Sequence, residues 1–377
     1  MWRASGCSGM KQLLVINPGS TSTKIALFQD EQQCWSENLL HSAQELEKYA
    51  SIFEQMPMRE DAIRRVLCEK KVDLSTLSCI VARGGLLPPV SAGAIIVDEE
   101  MIGVLRDHPV NQHASNLGAA LAYHLAQPFG LPCYIYDPVT VDEMIDVVRI
   151  TGLKDVARFG QGHNLNMRAT ALRFCKETGR VYTKSNLIVA HLGGGVSLSL
   201  HSNGRMIDMI SDDDGPFSPE RAGLIPTYKL VNLIFNQGLD RQKTMELLQR
   251  HGGLMSLVGT SDVRTVEKDA INGDKRAALA LEAMALHISR CIANLAVVVN
   301  GKIDAIILTG GIAYSSYITG MISKRVSFLA KTVQMPGENE MKALAEGALR
   351  VLSGLETPRQ FTDAVHGIPT IDGACKM

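Results

Sequence analysis

Leu13–Phe28 reads LLVINPGSTSTKIALF. One apolar run ends at Ile16 and another begins at Ile25. Between them, Asn17 to Lys24 hold a Gly, two Ser, two Thr and a Lys. A short continuous apolar run bounded by turn residues is the pattern of a strand buried on both faces. A plain hairpin turn needs only one or two special residues. A turn this rich in hydroxyls, with a Gly inside and a Lys just beyond, offers backbone N–H groups, O–H donors and a point charge to a small anion.

The same unit returns in the second half of the chain. NLIVAH (186–191) reads as a strand, LGGG follows, and VSLSLHSNGRMIDMI reads as a hairpin turning at Asn203-Gly204. Strand, glycine turn and strand thus occur over 13–28 and again over 187–200, which points to a structural duplication. A further strand, IDAIILTGG, ends in Gly310-Gly311. Three such turns are suited to converge on the phosphates and sugar of one nucleotide. Neither the P-loop pattern nor G-x-G-x-x-G occurs, so any phosphate site is of another kind.

Around these turns the pattern alternates β and α, the signature of an α/β architecture. LSTLSCIVA (74–82) and 132–136 contain strands. ASNLGAALAYHLA (114–126), 274–299 and MKALAEGALRVLSG (341–354) read as helices. Thr140–Glu143, TVDE, has capping-box spacing before MIDVVRI, which places Asp137 between a strand end and a helix start. Ligands collect at that point in α/β sheets. The expected division is an N-terminal extension over 1–10, disordered and without assigned function, one α/β domain over 11–180, a second over 181–354, and a tail over 355–377 ordered by docking.

The chain has 377 residues, 46% of them hydrophobic, enough for about two domains. A net charge of −1 excludes the basic footprint of a nucleic-acid binder. The eight cysteines show no CxxC spacing and mostly sit in apolar runs, as small buried hydrophobes of a reducing, cytoplasmic compartment do. No uninterrupted apolar run has membrane-spanning length, so no membrane partner is expected.

Several charged groups stand at element boundaries. Arg83 follows a strand and precedes GGLLPPV. Arg221 lies in GPFSPERAG, where Ser218 as cap and Pro219 at the first position predict a helical turn. Guanidinium binds carboxylate and phosphate bidentately, so both arginines are candidate oxyanion clamps. Asp137 is a candidate magnesium or base residue. Asp212–Asp214 is open to metal, or is a solvated acidic loop. His113, His163 and His191 each sit beside Gly or Asn, and each taken singly reads as structural.

Together VINPGSTSTKIALF, GGLLPPVSAG, QHASNLG, DPVTVDEM, IVAHLGGGVS, GPFSPERAG, AIILTGGIAY and PGENEMKALAEGALR resemble the butyrate kinases, which belong to the acetate kinase group within the sugar kinase, heat-shock 70 and actin superfamily. The resemblance spans roughly 11–353. It implies two duplicated α/β domains with a nucleotide cleft between them, and reversible phosphoryl transfer from ATP to butyrate, giving butyryl phosphate and ADP with Mg²⁺. It implies that Asn17, Ser20, Ser22 and Lys24 form the first phosphate turn. Arg83 and Arg221 would hold the carboxylate and the phosphoryl group. His113, His163 and His191 would be active-site histidines, and Asp137 the catalytic aspartate. Gly193, Gly194 and Gly195 would form the second phosphate loop, with Gly310 and Gly311 on the adenosine side. The magnesium-associated carboxylate would be Glu340, with Glu338 as the alternative, and Asn17 would stand beside the metal. The family implies a homo-oligomer, a dimer or larger.

The chain departs from the family pattern at two places. GQGHNLNMRAT surrounds His163 where the pattern reads like FHALNQKA, and Ala222-Gly223-Leu224 follows Arg221 where Ser-Gly-Gly is expected. Both places bear on acid chain length more than on the reaction. The alternatives are a kinase for propionate, isobutyrate or another short acid, a sugar-type kinase directed at a hydroxyl, and a non-catalytic ATP-binding module.

Overall fold

In the computed structural model, residues 9–370 and 373–375 are described; of the N-terminal extension, 1–8 lie outside them. The chain forms two compact units, one made chiefly of 9–141 with 339–368, the other chiefly of 142–338.

The first unit carries a sheet of β1 (Gln12–Pro18), β2 (Ser22–Gln29), β3 (Gln32–Leu40), β4 (Cys79–Arg83), β5 (Ala94–Ile96) and β6 (Cys133–Tyr136) in the order β3-β2-β1-β4-β6-β5. β1 pairs antiparallel with β2 and parallel with β4, and β4 pairs parallel with β6. The second unit repeats the plan with β7 (Leu187–Leu192), β8 (Val196–Ser202), β9 (Arg205–Ile210), β10 (Ala305–Thr309) and β11 (Thr332–Gln334) in the order β11-β10-β7-β8-β9. Here β7, β8 and β9 form the antiparallel meander, and β10 and β11 follow in parallel. Each sheet is therefore a meander whose first strand also begins a parallel series. The duplication read from two glycine turns is present in the topology.

Central position explains the sequence. Leu13–Ile16 and all six residues of β7 are buried, because helices cover these strands on both faces. Helix Lys275–Val298, capped by Asp274, packs on β7, β8 and β9 and buries Leu281, Met284, Ile288, Ile292 and Leu295. It is long and apolar enough to cross a membrane by length and composition, yet its inner face belongs to this core. The Asn203-Gly204 turn has both residues at positive φ, as the hairpin required.

The domain limits differ from expectation. Segment 142–180 belongs to the second unit, and the closing helix Glu340–Leu352 belongs to the first. The buried Asp142–Arg149 ion pair, the bond of Arg158 to Asp208, and helix Asn164–Thr178 on β7 and β10 fix the earlier segment. The closing helix lies across β1, β4 and β6, with Gly347 pressed on the Tyr136 ring. The predicted capping box does not form. The Glu143 carboxylate accepts from Met206 N–H at 3.0 Å, and the only helix in that stretch is the short Asp146–Arg149. Strand β3, with half its residues open to solvent, escapes an apolar-run search. The tail docks on the first unit, where Val365 bridges to Val90 and His366 N–H donates to Pro89 O at 3.0 Å.

A Cβ on Gly347 would stand 2.6 Å from the Tyr136 ring. Gly→Ala inside a helix ordinarily stabilises by about 1 kcal/mol. Gly347→Ala should instead lose about 1–3 kcal/mol through overpacking, read as a lower urea midpoint at unchanged m-value. A gain in stability would contradict the packing described.

Candidate functional site

In the first unit, β1 and β4 end side by side. Asn17 is the last residue but one of β1, and its side-chain amide donates to Glu340 Oε2 at 2.6 Å. Arg83 closes β4, and its guanidinium donates to the other oxygen of the same carboxylate. Glu340 opens the closing helix, where a carboxylate also meets the positive end of the helix dipole. The structure thus joins Asn17, Arg83 and Glu340 into one polar cluster. Glu338 is not part of it; it lies in the second unit, 3.9 Å from His191 Nε2.

Lys24 stands opposite Asn17 in the β1–β2 register and is exposed. Ser20 is exposed at the turn tip and Ser22 half-buried at the start of β2. Asp137 follows β6, buried, at positive φ, with Oδ1 accepting from Gly93 N–H at 2.7 Å. A strained backbone fixed by a side-chain bond is a feature found at functional positions. His113 accepts from Ser115 N–H on Nδ1 at 3.1 Å, so a neutral ring carries its proton on Nε2. Partial burial of the ring, and then the Arg83 charge, hold His113 below the ordinary histidine value.

In the second unit, His163 and His191 stack, with ring centroids 3.8 Å apart and planes within 8°. Ser197 Oγ lies 2.9 Å from His163 Nδ1, and the Asn166 amide lies 2.9 Å from His191 Nδ1. Two of the glycines after β7 lie close against neighbouring side chains. A Cβ on Gly193 would meet the His191 ring at 2.8 Å, and one on Gly195 would meet the Arg221 guanidinium at 2.7 Å, whereas Gly194 faces open space. Ser218 Oγ donates to Gly194 O at 2.7 Å. Arg221 is held on Asp212 at 2.7 Å.

Arg221 is not in a helical turn. Ser218 N–H donates to Arg221 O, and Arg221 N–H donates back to Ser218 Oγ, which closes a loop. The next helix begins only at Thr227. The acidic run is likewise spoken for: Asp212 pairs with Arg221, and Asp214 with Arg158.

Gly310 has φ 86° and bonds in both directions with Gly337. Gly311 opens onto a cavity of about 770 Å³ that lies wholly within the second unit. Gly193 and Gly194 line one side of it, Tyr314 and Ser315 another, and Asp262, Arg264 and Lys268 near helix Val263–Ile271 a third. That volume suits a nucleotide-sized ligand. Sequence reading missed this helix wall, since its polar residues look like an ordinary solvated face. It also missed the supporting groups Asn166 and Ser197, and it read Asp212 as a metal or solvated-loop residue where the structure makes it the partner of Arg221.

The acetokinase family model matches residues 154–345. The fold resembles the crystal structure of acetate kinase from Porphyromonas gingivalis, with TM-score 0.75 at 19% identity over 91% of this chain and 100% of that one. Two Clostridium acetobutylicum proteins resemble the chain over nearly its whole length. Butyrate kinase 1 is 43% identical across 93% of this chain and 100% of its own, and butyrate kinase 2 is 44% identical across 93% and 99%. The chain belongs to the acetokinase family.

An acetokinase that handles nucleotide is expected to meet Mg²⁺. Among the described residues no three His, Cys, Asp or Glu side chains converge as a protein-only metal cage. Mg²⁺ does not need one, because it keeps waters and phosphate oxygens and takes one or two protein oxygens. The Glu340 carboxylate is a hard donor of that kind, and the neighbouring Asn17 side chain carries another in its amide oxygen. The donor set fits a metal that arrives on phosphate.

A histidine NMR titration checks the electrostatics of this acetokinase. His113 should titrate below its ordinary value of about 6.5. Arg83→Gln should move it upward, because the neighbouring cation opposes the imidazolium. An unchanged midpoint in the variant would remove Arg83 from the surroundings of His113.

Proposed function

We propose that this chain transfers the γ-phosphoryl group of ATP reversibly to the carboxylate of butyrate or a similar short-chain acid, giving acyl phosphate and ADP. The observation that carries this reading is the full-length match to relatives named butyrate kinase. The carboxylate oxygen attacks the γ-phosphorus, and the bond to the ADP oxygen breaks. Such transfers depend on positioning and charge neutralisation more than on covalent help.

A short-chain acid has a pKa like that of Glu, about 4.3, and is ionised at neutral pH. It needs no general base. Asp137, pinned by Gly93, then serves geometry and charge placement rather than proton removal. Arg83 and Arg221 supply planar forks for carboxylate and phosphoryl oxygens, each kept in orientation by a carboxylate, Glu340 and Asp212. Neutral His113 offers its Nε2 proton to an oxygen, and His163 does so from a ring braced by Ser197 and stacked on His191. The first turn with Ser20, Ser22 and Lys24, and the Gly193–Gly195 turn, supply donors for phosphate. Glu340 and Asn17 would hold Mg²⁺, which would neutralise charge on the phosphates. The cavity beside Gly311 would take the adenosine part, with Tyr314 as an exposed aromatic wall. We place the enzyme in the cytoplasm, where ATP and the acid meet.

Trapping of acyl phosphate by hydroxylamine tests the reading, with ATP, Mg²⁺ and acids from acetate to hexanoate, including isobutyrate. Maximal hydroxamate at butyrate or isobutyrate is the expected result. A maximum at propionate would keep the reaction and move the substrate. No hydroxamate from any acid, in folded protein that binds ATP, would overturn the reading.

We also propose a homo-oligomer. Helix Thr227–Gln237 buries no residue in this chain and leaves Tyr228 86% and Phe235 79% exposed, with Val231 open on the same helix. A second copy covering that face would remove this apolar surface from water. Light scattering should give a dimer or larger species, and Tyr228→Lys with Phe235→Lys should give a monomer. A monomeric wild type would refute it.

A further inference from the structure

Beneath the first glycine turn lies a buried cation that the reaction scheme does not use. Arg59 stands on helix Met56–Glu69, in line with Met56, Ile63 and Leu67 on its buried stripe, and is 0% exposed. Its Nη1 donates to Gly19 O at 2.9 Å, to Ser22 O at 3.1 Å and to Thr23 Oγ1 at 3.0 Å. Its Nη2 donates to Ser20 O at 3.1 Å and to Gln55 Oε1 at 2.9 Å, and Nε reaches the same Gln55 oxygen at 3.2 Å. The remaining turn carbonyl, Thr21 O, accepts from His41 N–H at 2.9 Å. Every carbonyl from Gly19 to Ser22 is therefore drawn toward the protein.

In a trans peptide the N–H points opposite to the C=O of the same unit. Drawing in the Gly19 and Ser20 carbonyls turns the Ser20 and Thr21 N–H groups outward, and both residues are exposed. Among the described residues no protein acceptor takes those two N–H groups, and no carboxylate pairs with Arg59. A guanidinium does not shed its proton in a protein, and a buried charge is costly unless matched. Protein oxygens satisfy the Arg59 N–H donors, and the charge itself is left for an anion on the open side of the turn to complement.

We infer that Arg59 is the positioning residue of this turn: it holds the carbonyls away from the open face, aims the Ser20 and Thr21 amides at a phosphoryl group, and supplies a fixed positive charge beneath it. The inference rests on the acyl-kinase reading for the identity of the phosphoryl donor, but not for the anion site itself. Sequence spacing carried the clue, because an arginine at the third residue after Met56 and the fourth before Ile63 falls on the helix's inner stripe.

Arg59→Lys keeps the charge but loses the fork, and Arg59→Met keeps bulk alone. At matched folded fraction, kcat/KM for ATP should fall at least about 10-fold in Arg59→Lys and further in Arg59→Met, while KM for the acid stays within about 2-fold. A lowered thermal midpoint with unchanged kinetic constants per folded molecule would reduce Arg59 to packing and overturn the inference. If Arg59→Met does not fold, Arg59→Lys decides. Inorganic phosphate supplies a readout without turnover. It should raise the thermal midpoint of the wild type more than that of Arg59→Lys, and equal rises would overturn the inference. Should the wild type form no hydroxamate, the acyl-kinase reading falls, and the phosphate titration still decides Arg59.

Discussion

The polar cluster in the first unit depends on one carboxylate reached from two strands. Glu340 accepts from Asn17 and from Arg83, its partners 323 and 257 residues away in the chain. It can do so only because the closing helix lies across β1, β4 and β6, and that packing requires a residue without a side chain where Gly347 meets Tyr136. A contact between a ring and a helix backbone thus sets the position of a charged group two turns away. The Tyr136 hydroxyl adds to the hold by bonding to Arg350 and Glu356. Packing comes first here, and the electrostatics follow from it.

The same order holds in the second unit. The glycines after β7 look like phosphate-turn residues, and Gly193 also leaves room for the His191 ring while Gly195 lies against the Arg221 guanidinium. A residue can therefore be demanded by packing and suit ligand approach together. The arginines show a parallel economy. Arg83 and Arg221 each rest on one carboxylate, which fixes the fork yet leaves donors over, since a guanidinium has five.

Much of this was legible in the residues. Alternating apolar runs gave β1, β2, β4, β6, β7 and β10, because strands buried on both faces have a continuous apolar code. The Asn203-Gly204 turn was readable because its chemistry is local. Most of what failed was non-local. The boundary at 180 looked sound because nothing in a run of residues says on which sheet a helix lands. Thr140–Glu143 had the right spacing for a cap, but Glu143 found Met206 N–H instead. Ser218-Pro219 promised a helix start, and a bond back from Arg221 made a closed loop. Arg59 was passed over because arginine on a charged helix normally faces water. Only its place in the heptad-like row with Met56, Ile63 and Leu67 argued otherwise.

The first unit is discontinuous in the chain, and this bears on how it comes into being. Domains generally fold as they are synthesised, from the N-terminal end. The strands β1 to β6 emerge early, yet the helix that covers them and carries Glu340 is made only after the whole of 142–338. The bulk of the second unit, 142–338, is one continuous run and can close on its own residues first. The nascent first sheet must wait with one face uncovered, so β1, β4 and β6 are the surfaces that a chaperone would be called on to shield.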